Sequence, residues 1–221
     1  MIVHADTQGS DEWLAARRGV VTGSRFKDAR DYKALTLKDE KAGKTRGAAS
    51  EKLIGYAMDT ARELAGGAVP SVYANAAMRT GTEEEPRARL EYEAETGNIV
   101  TEAGFITTDD RRFGVSVDGL VGDDGLIEIK TMVSSRTLFR AVVDGDHSEY
   151  IDQCNGAMWL LGRKWIDLVL WAPDLAEAGH KGLHIVRIDR DDDVIESLEA
   201  DLMQFAALVD DYEQRLRLKA S

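Results

Sequence analysis

Apolar and β-branched residues alternate or run together in the middle of the chain, which predicts β-strands. Three such stretches follow one another: GFITT at 104–108, FGVSVDGLV at 113–121 and GLIEIK at 125–130. The sequence GDDG is a turn signal between the last two, so the three stretches predict a β-meander. Two more strands are predicted at 165–173 and 182–190.

Helices are predicted on both sides of these strands by apolar residues that recur every three or four positions. Ser10 is a suitable N-cap for a short first helix, and Thr82 and Glu85 match a capping box at the start of another. Pro86 is therefore expected near the first turn of that second helix. The other predicted helices span about 47–64, 134–143, 150–162 and 191–218.

This order of helices and strands predicts an α/β protein whose sheet is flanked by helices. The 221 residues and 43% hydrophobic content allow one domain, with an N-terminal helical part (about 8–97) packed on a sheet core (about 98–221). We expect a cytoplasmic protein, because the chain shows neither a signal-peptide pattern nor an apolar run long enough to span a membrane. The single cysteine, Cys154, excludes an intramolecular disulfide and is expected in the core.

The net charge of −12 argues superficially against a nucleic-acid partner, because phosphate binding favours Lys and Arg. The charge is unevenly distributed, however, with a balance of +3 in residues 1–62 and −15 in residues 63–221. The basic side chains of the first part either line a groove or form a solvated face. The candidates for the groove are Arg17, Arg18, Arg25, Lys27, Arg30, Lys33, Lys38, Lys41, Lys44 and Arg46.

Three charged residues lie within the two apolar strands predicted at 113–121 and 125–130. Glu128 and Lys130 lie two apart and therefore face the same side of one strand, and Asp118 ends the preceding strand. Two carboxylates on adjacent strands, with the backbone carbonyl of Ile129 between them, suit a hard divalent cation such as Mg²⁺ or Mn²⁺. Lys130 beside that cation would orient an attacking water and balance the charge of a scissile phosphate.

A structural reading of the same residues is also open. Asp118 can cap the turn that begins at Gly119, and Glu128 and Lys130 can form an ion pair on an exposed sheet. The pattern D-x9-E-x-K is short enough to arise by chance, so its significance depends on the neighbouring blocks of sequence.

Four such blocks occur in order: QGSDEWLAARRGVVTGS at 8–24, GTEEEPRARLEYEAETG at 81–97, SVDGLVGDDGLIEIK at 116–130 and YIDQCNGAMWLLG at 150–162. With GLHIVRIDRDD at 182–192, they resemble the lambda-type phage exonuclease family, the YqaJ-like viral recombinases of the PD-(D/E)XK nuclease superfamily. The resemblance covers nearly the whole chain. It implies an α/β fold with a central mixed β-sheet flanked by α-helices, and an enzyme that degrades the 5′-ended strand of duplex DNA to leave a 3′ tail.

The resemblance also implies roles for individual residues. Asp118 and Glu128 would bind Mg²⁺, with two ions in each active site and Mn²⁺ as the alternative ion, and Lys130 would be the catalytic lysine. Glu85 and Gln153 would complete the catalytic group; the alternatives are the capping box for Glu85 and an ordinary helix-face amide for Gln153.

Four further residues are candidates for binding DNA. Arg17 would hold the terminal 5′-phosphate through a charge-assisted contact, with Ser24 and Ser116 adding hydroxyl groups. Arg136 would contact a phosphate, or else serve as a helix cap or surface residue.

The implied partners are duplex DNA, two further copies of the chain in a ring-shaped homotrimer, and a single-strand annealing protein. The implied location is the cytoplasm of a bacterial host, with a phage or prophage gene. Two other functions stay open: a structure-specific or restriction-type endonuclease of the same fold, and a non-catalytic DNA-binding module.

Overall fold

The computed structural model describes residues 1–5, 9–68 and 76–220. The strands are β1 (Ile2–His4), β2 (Val21–Thr22), β3 (Val100–Thr101), β4 (Phe105–Thr107), β5 (Phe113–Ser116), β6 (Gly119–Val121), β7 (Gly125–Thr131), β8 (Trp165–Trp171) and β9 (Leu183–Asp189). The helices are α1 (Asp11–Arg17), α2 (Phe26–Ala29), α3 (Leu37–Lys41), α4 (Glu51–Leu64), α5 (Ala76–Thr96), α6 (Ser135–Leu138), α7 (Ile151–Leu161), α8 (Pro173–Glu177) and α9 (Asp192–Ala220).

The strands form two mixed sheets. The larger sheet has the order β3-β6-β7-β8-β9, and all of its pairs are antiparallel except β7 with β8. The parallel pair is joined by a crossover that contains α7, as parallel strands require. The smaller sheet has the order β1-β4-β5-β2, with β2 parallel to β5. The predicted α/β class with mixed strands and flanking helices is confirmed.

The predicted single β-meander is wrong, because the stretch 113–121 is divided between the two sheets. Its first half, β5, pairs with β4 in the smaller sheet, and its second half, β6, pairs with β7 in the larger one. The division falls at Val117 and Asp118. Each half finds a different neighbour, so the chain leaves one sheet and enters the other at the residue that carries the candidate carboxylate.

Alternation along β7 sends its side chains to two different layers. Leu126 packs towards α7 together with Met158, whereas Ile127 and Ile129 pack on the opposite face with Tyr92 of α5. Cys154 is buried in the first of these layers, as expected. A third apolar cluster joins α4 and α9 to β5. Glu128 and Lys130 belong to the α7 side of the sheet.

The predicted start of the helix that contains Pro86 is wrong. The helix α5 begins at Ala76, so Thr82 and Glu85 lie in its interior and do not form a capping box at its N-terminus. Pro86 is likewise interior. Proline has no N–H to donate to the preceding turn, and it is accommodated here within a helix of 21 residues.

Two observations complete the fold. In the described part of the chain, no helix is long and apolar enough to cross a membrane. Strands β1 and β2, which the pattern analysis did not predict, bring residues near the N-terminus into the smaller sheet.

Candidate active site

A cavity of about 510 Å³ opens where the two sheets, α1, α5 and α7 meet. Nine of the ten residues proposed for the site line it: Arg17, Ser24, Glu85, Ser116, Asp118, Glu128, Ile129, Lys130 and Gln153. These residues come from seven separate elements or turns, so only the folded chain brings them together.

Glu128, Lys130 and Gln153 form a hydrogen-bonded triangle on the α7 side of the larger sheet. Lys130 Nζ donates to Glu128 Oε1 at 2.7 Å and to Gln153 Oε1 at 3.2 Å. Gln153 Nε2 donates to the same Glu128 oxygen at 2.5 Å. The second oxygen, Glu128 Oε2, is buried and has no hydrogen-bond partner among the described residues. A buried carboxylate oxygen without a donor is costly, and a cation would satisfy it.

Asp118 stands at the crossing between the sheets and faces the edge of β7. Its Oδ2 accepts a hydrogen bond from the backbone N–H of Ile129 at 2.6 Å. The N–H and C=O of one strand residue point to the same side, so the Ile129 carbonyl faces the edge on which Asp118 lies. This arrangement brings together the two carboxylates and the backbone oxygen that the sequence proposed as ligands.

Burial dominates the electrostatics of the two strand carboxylates. It raises the pKa of Asp118, against the opposing effect of Lys130, and it raises the pKa of Glu128 to about 7. Burial alone would lower the pKa of Lys130, but the negative charges of Glu128 and Asp118 outweigh it and raise that pKa. Lys130 is therefore held as an ammonium ion.

Glu85 adds a third carboxylate from α5. Burial and the charge of Asp118 raise its pKa, whereas Arg89 has the opposite effect. Arg89 Nη2 donates to Glu85 Oε1 at 2.8 Å, one helical turn further along α5. Three carboxylates thus line the cavity, with Lys130 between two of them and Arg89 beside the third.

Arg17 occupies the opposite end of the cavity. Its guanidinium lies 4.3 Å from the ring centroid of Trp13 and 5.0 Å from that of Phe105, and Nη1 donates to Ser116 Oγ at 3.4 Å. Burial lowers its pKa. Among the described residues no carboxylate forms an ion pair with Arg17. A mostly buried guanidinium without an anionic partner is suited to bind an anion.

Ser24 and Arg136 have contrasting positions. Ser24 lies in a turn of 3-10 helix at Gly23–Arg25 and lines the cavity together with Arg17. Arg136 is exposed on α6 and does not line the cavity. Its contact with DNA stays a prediction.

Two residues next to the site were not assigned a role in it from the sequence. Trp13 covers the Arg17 guanidinium, and Arg89 pairs with Glu85. Both lie four residues from a proposed site residue on the same helix, and this spacing, which makes helical side chains neighbours, was the available signal.

The donor set fits an oxygen-coordinated cation. No group of three or more His, Cys, Asp and Glu side chains is arranged as a ready metal site in residues 1–5, 9–68 and 76–220. Asp118, Glu128 and the Ile129 carbonyl supply three oxygens of the type that Mg²⁺ prefers, and Mg²⁺ commonly keeps water as its remaining ligands. The buried Glu128 Oε2 without a donor fits the same interpretation.

The chain is similar to one family model and to several solved structures. The model of the YqaJ-like viral recombinase domain matches residues 12–164. The alkaline exonuclease LHK-Exo from Laribacter hongkongensis is 35% identical with a TM-score of 0.76, over 96% of this chain and 98% of that chain. Its complex with dAMP gives 36% identity and a TM-score of 0.78 over the same shares.

A phage-related exonuclease from Haemophilus somnus 129PT shares the fold at 17% identity and a TM-score of 0.67, over 91% of this chain and 96% of that chain. The search among curated proteins finds no match. The family match spans more than half of the chain and includes the cavity residues from Trp13 to Gln153. The family proposed from the sequence blocks is thereby confirmed, and the chain belongs to the YqaJ-like viral recombinases.

Proposed function

We propose that this protein is a divalent-cation-dependent exonuclease that hydrolyses the 5′-ended strand of duplex DNA and leaves a 3′ single-stranded tail. The observation that carries the proposal is the convergence of Asp118, Glu128 and Lys130 in one cavity. The similarity of the chain to the alkaline exonuclease LHK-Exo, at 35% identity over nearly the full length of both chains, supports the exonuclease activity.

Asp118, Glu128 and the carbonyl of Ile129 would hold Mg²⁺ or Mn²⁺. When bound, the cation supplies Lewis-acid stabilisation of charge on the phosphate and lowers the pKa of a water molecule. We include two ions per site in the proposal, as the family resemblance implies.

Lys130 has a defined part in this chemistry. The charges of Glu128 and Asp118 raise its pKa, and its ammonium group would lie as a positive charge beside the scissile phosphate. The carboxylate of Glu128 and the amide of Gln153 both contact Lys130 and hold its ammonium group in place.

Arg17 is proposed to bind the terminal 5′-phosphate. Its guanidinium is stacked on Trp13 and has no carboxylate partner in the described part of the chain, so its charge is available to a phosphate. Ser116 and Ser24 add hydroxyl groups at the same end of the cavity. This end of the cavity would recognise the strand end and set the direction of digestion.

The family resemblance extends the proposal to the partners. We propose a ring of three copies around the DNA, a single-strand annealing protein that takes the 3′ tail, and action in the cytoplasm of a bacterial host. The protein's net charge of −12 is compatible with DNA binding, because a bound cation offsets the carboxylates nearest the phosphate.

The decisive experiment uses three DNA substrates with and without Mg²⁺. They are a linear duplex with 5′-phosphates, the same duplex with 5′-hydroxyls, and a covalently closed circle. We expect Mg²⁺-dependent release of nucleotides from the 5′-phosphorylated duplex, slower release from the hydroxyl form, and an intact circle. Linearisation of the circle would favour an endonuclease, and binding without any shortening would favour a DNA-binding module.

A further inference from the structure

Arg89 forms two ion pairs from a position beside the cavity. Its Nη2 donates to Glu85 Oε1 at 2.8 Å, and its Nη1 donates to a carboxylate oxygen of Glu102. The arginine side chain is only 15% exposed, whereas Glu102, which lies between β3 and β4, is 77% exposed. The inner partner, Glu85, lines the cavity and the outer partner faces solvent.

The pairing of Arg89 with Glu85 is incomplete. Arg89 Nε is buried and has no hydrogen-bond partner among the described residues. A guanidinium can bind a carboxylate through two parallel hydrogen bonds, and Nε and Nη2 form one of the pairs of donors that allow this. Here Glu85 is held through one oxygen only, so its second oxygen is not engaged by the arginine.

Open space lies on the other side of Glu85. A second cavity of about 460 Å³ is lined by Glu85, Arg89, Glu102 and Asp118, among others. Without Arg89, the negative charges of Asp118 and Glu128 would repel Glu85, and this second cavity gives its side chain room to move away.

We propose that Arg89 is a positioning residue for hydrolysis. It holds Glu85 by one oxygen at the wall of the active-site cavity, leaves the second oxygen available to the reacting groups, and keeps the side chain out of the second cavity. This inference rests on the proposed function, because it assigns Arg89 to the same site.

The test compares Arg89→Gln with Arg87→Gln, which changes another arginine of α5 that pairs with Glu177 on the outside of the protein. For Arg89→Gln we expect kcat to fall at least about tenfold, as displaced catalytic groups do, while KM for 5′-phosphorylated duplex changes less than about threefold. Arg87→Gln should leave kcat and KM at their wild-type values. Arg89→Lys retains the charge and should recover part of the lost kcat.

Two further measurements separate positioning from a structural defect. Mn²⁺ binding without DNA, measured by calorimetry, should stay within about threefold of the wild-type Kd in Arg89→Gln, because Asp118 and Glu128 are unchanged. In a double-mutant cycle, Arg89→Gln should cost less than about twofold when Glu85→Gln is already present, because the arginine acts through that carboxylate.

Each contrary result is decisive. An unchanged kcat in Arg89→Gln, multiplicative losses in the cycle, or loss of Mn²⁺ binding would overturn the inference. A higher KM at constant kcat would instead make Arg89 a DNA contact. If Lys130→Ala is inactive while Arg89→Gln is fully active, this inference fails alone; if Lys130→Ala keeps full activity, the proposed function fails.

Discussion

The backbone N–H of Ile129 donates a hydrogen bond to the Asp118 carboxylate at 2.6 Å. In an uninterrupted hairpin, a backbone carbonyl of the neighbouring strand would accept this bond. Because the chain turns away into the smaller sheet at Val117 and Asp118, a side chain accepts it instead. The break in the strand therefore places a carboxylate where a regular sheet would have only backbone.

Lys130→Ala is expected to abolish hydrolysis and to leave DNA binding in place. The substitution removes the ammonium group that contacts Glu128 and Gln153, and loss of one such stabilising group lowers kcat by at least about 100-fold. Nuclease assays and fluorescence anisotropy on the same duplex would measure the two effects. Lys164→Ala, which removes an exposed lysine paired with Asp124, is the matched control and should be fully active. Comparable activity in the two variants would contradict the role of Lys130.

Arg17→Ala is expected to remove the preference for 5′-phosphorylated ends. Arg17 is partly buried under Trp13 and forms no ion pair with a carboxylate in the described residues, whereas the adjacent Arg18 is exposed. The ratio of initial rates on phosphorylated and hydroxyl ends should approach one in Arg17→Ala and stay at the wild-type value in Arg18→Ala. A wild-type enzyme that is itself indifferent to the 5′-phosphate would refute end recognition by this residue.

Gly156→Ala is expected to destabilise the protein and reduce activity. A methyl group at this position of α7 would lie 2.3 Å from two ring carbons of Phe26, which is fully buried. Overpacking of this kind costs about 1–3 kcal/mol of unfolding free energy, and any shift of α7 also moves Gln153. Gly55→Ala in α4 is the control: its methyl group meets no atom within 4 Å, so it should stabilise the protein by up to about 1 kcal/mol. Denaturant unfolding would measure both changes, and equal effects would contradict the packing argument.

Tyr92 is expected to make the stability fall at high pH. Burial and its hydrogen bond to Asp167, at 2.7 Å, raise the pKa of Tyr92 to about 12, above its usual value of about 10. Folding thus favours the neutral phenol. The contribution of Tyr92 to the free energy of unfolding is therefore complete below about pH 10 and is lost as the pH rises through about 12. Unfolding free energies across this range should fall less steeply in Tyr92→Phe than in wild type. An unchanged slope in Tyr92→Phe would refute the assignment.

The sequence predicted which residues line the cavity better than it predicted how the strands divide between two sheets. Strand alternation is a local property, so the shared face of Glu128 and Lys130 was predictable and is observed. The long strands β7 and β8 were also predictable, because their apolar runs bury them on both faces whatever their neighbours are.

The differences between the predicted and the observed secondary structure depend on contacts between residues that are distant in the sequence. The stretch FGVSVDGLV has the pattern of one strand, and only its pairing with β4 on one side and β7 on the other divides it. Strands β1, β2 and β3 have two or three residues each, too few for a periodic signal. The start of α5 was misplaced because a capping-box pattern and Pro86 together imitate a helix N-terminus.

The register of the hairpin has a consequence for recognising relatives of this protein. Gly119 pairs with Ile127 and Val121 with Gly125, so extending the ladder by one step places Asp118 opposite Glu128. One extra residue in each strand would keep the two acids opposite each other and would increase the number of residues between them in the sequence. The interval between them is thus a measure of hairpin length and not a requirement of the chemistry, and a search that demands a fixed interval will overlook enzymes whose acids meet in the same way.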